Sequence, residues 1–308
     1  MPDMTLLIDR MLIILILLAV GFLARKTGHT DAVTNKKLSH VIINIGQCGM
    51  ILGAVMNAEF ELTRAEALGA LGLSFLVLPL MLGVGFLTPI LLRAKGASRG
   101  TFRFMGAFGN IGFVGMPIVN SIFGSEAVFL VALFNIPFNI FLYTLGMMMI
   151  SGGGHKTGFS PRKLLSPPVM TSFIALVIFL LGIPFPTSVA SSAKTLGEMV
   201  LPCCLLVLGG SLGAMPMKKV FTNPRVYGLL VIKHFALPLI IWATLRPFVA
   251  NSLLLGTLTV TAAMPIAAAS TMLSIEYGGD EELATKSVFL SSLASVGTIP
   301  LVVHLLLA

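Results

Sequence analysis

The sequence predicts an all-α membrane protein: ten transmembrane helices forming two inverted five-helix repeats, with helices 4 and 9 broken and crossing at the midplane. Three observations point there. Charged residues make up only 10% of the 308 positions and hydrophobic ones 56%, and mean hydropathy is +0.99. A soluble domain carries about 25% charged residues, so most of this surface must face lipid. The apolar residues also gather into ten stretches of membrane-crossing length, and the two halves of the chain echo one another in the order of their motifs.

A helix rising about 1.5 Å per residue needs about 20 residues to cross a hydrocarbon core of about 30 Å. Ten segments fit, at 6–24, 38–57, 67–92, 102–123, 127–150, 165–184, 197–214, 226–246, 252–276 and 284–307. The first lacks a basic leader and a cleavage site and ends in Arg25-Lys26, so it reads as a membrane helix rather than a signal peptide. Fifteen of the 20 Lys and Arg residues fall in loops after odd-numbered segments, whereas loops after even-numbered ones hold only Arg64, Lys194 and Arg246. The positive-inside rule then places the odd loops in the cytoplasm and both termini outside, in the inner (plasma) membrane. The acidic loop of Glu276, Asp280, Glu281 and Glu282 leaves this unchanged, because acidic residues weigh little in the rule. The net charge of +8 belongs to this orientation and not to nucleic acid, since no basic face with interleaved aromatics is present.

The echo is carried by three matches. Gln47-Cys48 in segment 2 answers Pro202-Cys203 in segment 7; Leu78-Pro79-Leu80 answers Leu237-Pro238-Leu239; Met116-Pro117-Ile118 answers Met264-Pro265-Ile266. The separations are 155, 159 and 148 residues, in register with a first repeat at 1–150 and a second at 165–308. The stretch 151–164 between them, rich in Gly and polar residues, is a cytoplasmic linker by composition. Five is odd, so the second copy enters the membrane from the opposite side. Inverted repeats of this kind mark secondary transporters, with the site near the midplane. A phosphate-cradling glycine loop for ATP-driven pumping is missing.

Segments 4 and 9 carry the candidate site. Segment 4 reads Phe108-Gly109-Asn110-Ile111-Gly112-Phe113-Val114-Gly115-Met116-Pro117. Proline removes a backbone donor and glycine lowers the cost of leaving helical geometry, so a break is expected near Gly115–Pro117. Segment 9 places Pro265 and Ile266 correspondingly, followed by Ala267, Ala268, Ala269, Ser270 and Thr271. Unwound backbone at membrane depth is tolerated where it lines a cavity or is buried in protein. Two half-helices starting there would aim their free N–H groups and positive dipole ends at one point, which suits a carboxylate. Asn110 offers a side-chain amide to the same ligand. A pair of plain proline kinks is the competing reading.

These residues resemble a known family. Asn110 to Pro117, continuing through Ile118 and Phe123-Gly124, resembles the helix 4 motif of the auxin efflux carrier family, which includes bacterial malonate-type carriers and plant PIN-type auxin carriers. Pro265, then Glu276-Tyr277, then Thr298-Ile299-Pro300 resembles its helix 9–10 region. The resemblance implies two inverted repeats, helices 4 and 9 crossing at their prolines, elevator-like alternating access and carboxylate binding at the crossover. By position it makes Asn110 the leading carboxylate contact and Pro117 and Pro265 the crossover markers. Gln47 stands where many relatives have proline and adds a polar group. The linker is far shorter than the plant carriers' cytoplasmic loop, so regulation through that loop is not implied.

Other polar residues are weighed on their own. Asn135, Asn139 and Tyr143 are spaced i, i+4, i+8, so one helix face carries them. The stripe fits a substrate path or interhelical hydrogen bonding equally well. Lys233 and His234 lie within segment 8, where charge is expensive and flags function, in support of the site or in coupling. Cys48, Cys203 and Cys204 sit in apolar runs without zinc or disulfide spacing and act as small hydrophobes. No cofactor or metal is called for. The expected partners are a small carboxylate and the lipid bilayer, with a homodimer left open. The alternatives are a sodium-coupled carrier of the bile-acid-symporter kind and a membrane sensor that binds without transporting. An enzyme would need paired aspartates, an H-E-x-x-H run or an activated serine, and none occurs.

Overall fold

A computed structural model describes residues 4–56, 63–151, 167–214 and 221–307. Among the described residues the regular elements are all helices, without a strand. In chain order the helices are α1 (Met4–Lys26), α2 (Ala32–Met56), α3 (Arg64–Leu91), α4 (Ala97–Ala107), α5 (Ile111–Phe123), α6 (Ser125–Ser151), α7 (Pro167–Leu181), α8 (Thr187–Glu198), α9 (Val200–Gly213), α10 (Pro224–Leu245), α11 (Ser252–Ala262), α12 (Ala269–Tyr277) and α13 (Glu281–Leu307). Six spans among them are long and apolar enough to cross a membrane: α2, α3, α6, α8 running on into α9, α10 and α13. The chain is thus a multi-pass membrane protein. Of the linker 151–164, only Ser151 lies among the described residues.

Several helix starts follow directly from side-chain caps. Asp31 accepts from the Thr34 N–H at 2.6 Å and opens α2. Asn223 and Asn251 do the same for α10 and α11, as the orphan donors of a first turn require. Single π turns interrupt α2, α6 and α10 at Ile42–Gly46, Leu142–Gly146 and Ile232–Ala236, and a fourth opens α5 at Ile111–Gly115. In α10 the Leu237 N–H reaches back five residues to the Ile232 carbonyl. Pro238 follows at once and has no N–H with which to restore the α pattern.

The chain forms two compact units. One gathers Met1–Gly72, Gly112–Ile136 and Leu165–Met215; the other gathers Leu73–Ile111, Pro137–Leu164 and Pro216–Ala308. Each draws on both halves of the sequence. Within the first, small residues let backbones meet, because lipid supplies no hydrophobic drive for helix association. Gly21 of α1 lies against the Leu206 backbone of α9, and Gly209 lies against the Leu18 backbone of α1. Gly49 and Gly53 of α2 meet Leu196, Ala193 and Lys194 of α8, while Gly197 meets Met50. Buried polar side chains are concentrated in the second unit, among them Thr88, Thr101, Asn110, Lys233, His234, Ser270 and Ser291.

Candidate functional site

The second unit holds two breaks in helical geometry. The chain leaves the helix after Ala107 and re-enters at Ile111; it leaves again after Ala262 and re-enters at Ala269. The two extended stretches pair with each other. Asn110 N–H donates to the Pro265 carbonyl at 2.7 Å and Ala267 N–H donates to the Phe108 carbonyl at 3.2 Å, so Gly109 and Ile266 form an isolated antiparallel bridge. Backbone groups freed by unwinding in an apolar interior cost several kcal/mol each unless satisfied, and here each break satisfies the other. Gly109 eases this close approach: a Cβ there would stand 3.3 Å from the Met264 carbonyl oxygen, a tight contact, and 3.4 Å from Lys233 Nζ. Phe108 anchors its end by stacking, 4.8 Å from the Phe104 ring and 5.5 Å from the Phe138 ring, the latter edge-on.

The break of segment 9 contains Pro265, as expected. That of segment 4 lies at 108–110 and not near Gly115–Pro117. Gly115 and Met116 are buried and helical, and Pro117 sits in the first turn of the α-helical run that follows the π turn. Proline is accommodated there because the π turn just before it has already displaced the α hydrogen-bond pattern. The bridge also separates its paired residues by 157 positions, 109 to 266. That falls between the separations of the segment 2/7 and 3/8 motifs, whereas the two Met-Pro-Ile runs are 148 apart.

Lys233 and His234 come to the same place from α10. Both are fully buried. Lys233 Nζ donates to the Ala107 carbonyl at 3.3 Å and forms no ion pair among the described residues. His234 Nδ1 lies 3.2 Å from the Ala263 carbonyl and Nε2 lies 2.9 Å from Ser291 Oγ. Ser291 Oγ in turn accepts the Ile266 N–H at 2.9 Å. Several buried polar groups of this unit have no hydrogen-bond partner, among them the Asn110 side-chain nitrogen and Ser270 Oγ, as well as the hydroxyls of Thr257, Thr261, Ser274, Ser287 and Thr298. Buried donors of this kind are rare and costly.

The structure therefore brings together Asn110, Pro265, Ile266, Lys233 and His234, with Ser270 the second residue of α12. Asn139 belongs to the same unit but is half-buried and already engaged by a neighbour. Gly115, Pro117 and Gln47 belong to the first unit, where buried Gln47 packs against Gly112. Ser291 is the residue that sequence reasoning passed over. It is one of four serines in α13, with Ser287, Ser292 and Ser295. The available signal was its i, i+4 spacing from Ser287, which marks a polar stripe on an apolar helix.

The family model and the relatives that match this multi-pass chain are those of membrane transporters and not of enzymes. The chain belongs to the membrane transport protein family, the auxin efflux carrier family, whose model matches residues 6–162 and 158–303. It is 26% identical over 258 residues to a Rhizobium meliloti protein named "Putative malonate transporter", covering 80% of this chain and 78% of that one. Uncharacterized transporters of Methanothermobacter thermautotrophicus and Methanocaldococcus jannaschii are each 23% identical over 305 residues, 95% of this chain and 96% of theirs.

Proposed function

We propose that this chain carries a small organic anion, a carboxylate such as malonate or an auxin-like acid, by elevator-type alternating access. The observation that carries the reading is Lys233. A fully buried lysine amine, bonded to one carbonyl and lacking a counter-ion among the described residues, stands 3.4 Å from where a Cβ of Gly109 would be. Ionised groups are rarely left in an apolar interior without a partner, and a carboxylate substrate supplies one. The orphan donors on Asn110 and Ser270 add neutral hydrogen bonds to the same ligand. The N-terminal N–H groups of α12 add the positive end of a half-helix. The name of the Rhizobium meliloti relative supports a dicarboxylate among the candidates.

The exchange of hydrogen bonds between Phe108–Asn110 and Pro265–Ala267 is what a two-fold relation between segments 4 and 9 produces. It supports two inverted repeats, 1–150 and 165–308, whose broken members cross at residues 109 and 266. Both breaks fall in one compact unit, as elevator movement requires of a cargo-bearing body. The test is uptake of labelled malonate, other dicarboxylates and indole-3-acetate into proteoliposomes, under imposed proton or sodium gradients. Saturable flux is expected, with KM raised about 10-fold or more in Asn110→Ala, the scale of one hydrogen bond to a charged group. Binding without flux would point to a sensor; flux only with a sodium gradient would point to a sodium-coupled carrier. Neither binding nor flux of any carboxylate would end the organic-anion reading.

A further inference from the structure

We infer that Lys233, His234 and Ser291 are positioning residues that hold both helix breaks in their receiving geometry. Two consecutive residues each cap the C-terminal end of a different half-helix. Lys233 Nζ donates to Ala107, the last residue of α4. His234 lies against the carbonyl of Ala263, the residue that closes α11. Neighbours in a helix point about 100° apart, so one dipeptide serves two helices only because the breaks are themselves bonded at 109 and 266. The last carbonyls of a helix carry partial negative charge that donors and cations offset. Left bare at the breaks, the ends of α4 and α11 would oppose an incoming anion. The effect on the anion rests on the proposed transport function; the clamp itself does not.

The bonding also selects a form of His234. A carbonyl only accepts, so Nδ1 carries the proton shared with Ala263. In the neutral ring Nε2 is then an acceptor, and the Ser291 hydroxyl donates to it. Ser291 Oγ keeps a lone pair for the Ile266 N–H at 2.9 Å. The chain of donors runs from the extended backbone of the break, through Ser291 and His234, to the end of α11, and each link orients the next.

The clamp is tested on the empty protein, so its outcome does not depend on finding the substrate. Hydrogen exchange followed by mass spectrometry is read across 263–268 in wild type, Ser291→Ala, His234→Leu and His234→Gln. Loss of one net hydrogen bond in this chain should speed exchange there about fivefold or more. Ser291→Ala and His234→Leu should each do so, and the double variant should add little, since both break one network. His234→Gln, which keeps one donor and one acceptor, should restore protection. Nitrogen NMR of the His234 ring should show the neutral form protonated at Nδ1. Unchanged exchange in Ser291→Ala, a Gln variant as fast as the Leu variant, or a ring protonated at Nε2 alone would each overturn the proposal. With a carboxylate identified, Ser291→Ala should raise its KM more than it lowers maximal flux.

Discussion

Burying an ammonium near the centre of a membrane helix costs about 2.5–3.5 kcal/mol on insertion scales, and Lys233 recovers one carbonyl bond for it. That imbalance is sustained when the charge serves binding rather than folding. Lys233→Met, similar in volume and uncharged, loses the Ala107 bond but also the cost of burying the amine, so the thermal midpoint of the detergent-solubilised empty protein should move little, while carboxylate uptake falls to background. A lowered midpoint with uptake retained would make Lys233 a structural residue. A second residue-scale expectation concerns Asp31, outside the membrane spans. Hydrogen bonds from the Thr34 hydroxyl and N–H hold its carboxyl below the ordinary carboxylate value. Because the folded value is the lower one, the cap supports α2 at neutral pH and its support fades as pH drops below about 4, through the folded value. Exchange rates in the first turn of α2, followed from pH 7 to 3, should rise at the acid end in wild type. Asp31→Asn, which still caps, should flatten that rise.

At the scale of the element, the two prolines that look alike in the sequence do different work. Pro265 lies in an extended stretch and its carbonyl accepts from Asn110; Pro117 lies within α5, just after its π turn. Pro117→Ala should leave the Gly109–Ile266 pairing intact, with exchange protection across 108–110 unchanged. The break in segment 9 was legible because its proline is mid-segment. The break in segment 4 was not, because local composition makes Gly112, Gly115 and Pro117 better breakers than Phe108-Gly109-Asn110. What decides the position is backbone pairing with residues 157 positions away, a tertiary term no local window contains. Ser291 was hidden likewise, since its role exists only once α13 meets His234 and Ile266. Helix packing in the first unit has an equally local test. A Cβ at Gly209 would collide with the Leu18 carbonyl of α1. Gly209→Val should lower stability by roughly 1–3 kcal/mol or more, the range for overpacking, read as a lower thermal midpoint.

Across the whole molecule, the apolar segments were legible because lipid leaves helices few alternatives: every backbone polar group must be satisfied within the segment. Segment ends were blurred where polar turns are themselves helical. α2 begins at Ala32 rather than 38, and the seventh segment's helix begins upstream of 197, at Thr187. Interleaving of the two halves into two compact units could not be read from hydropathy, which records length and apolarity but not partners. Orientation, in contrast, is carried by charge alone. With 15 of the 20 Lys and Arg residues after odd segments, turning the chain over would put that excess outside, against the insertion bias. Impermeant maleimide labelling of intact cells checks this, in a background where Cys48, Cys203 and Cys204 are replaced. Phe248→Cys, highly exposed in the turn after α10, should label from outside. Lys95→Cys, in the turn before α4, should label only after the membrane is permeabilised. The reverse pattern would place both termini in the cytoplasm and the acidic turn before α13 outside, and the charge-based orientation would have to be given up.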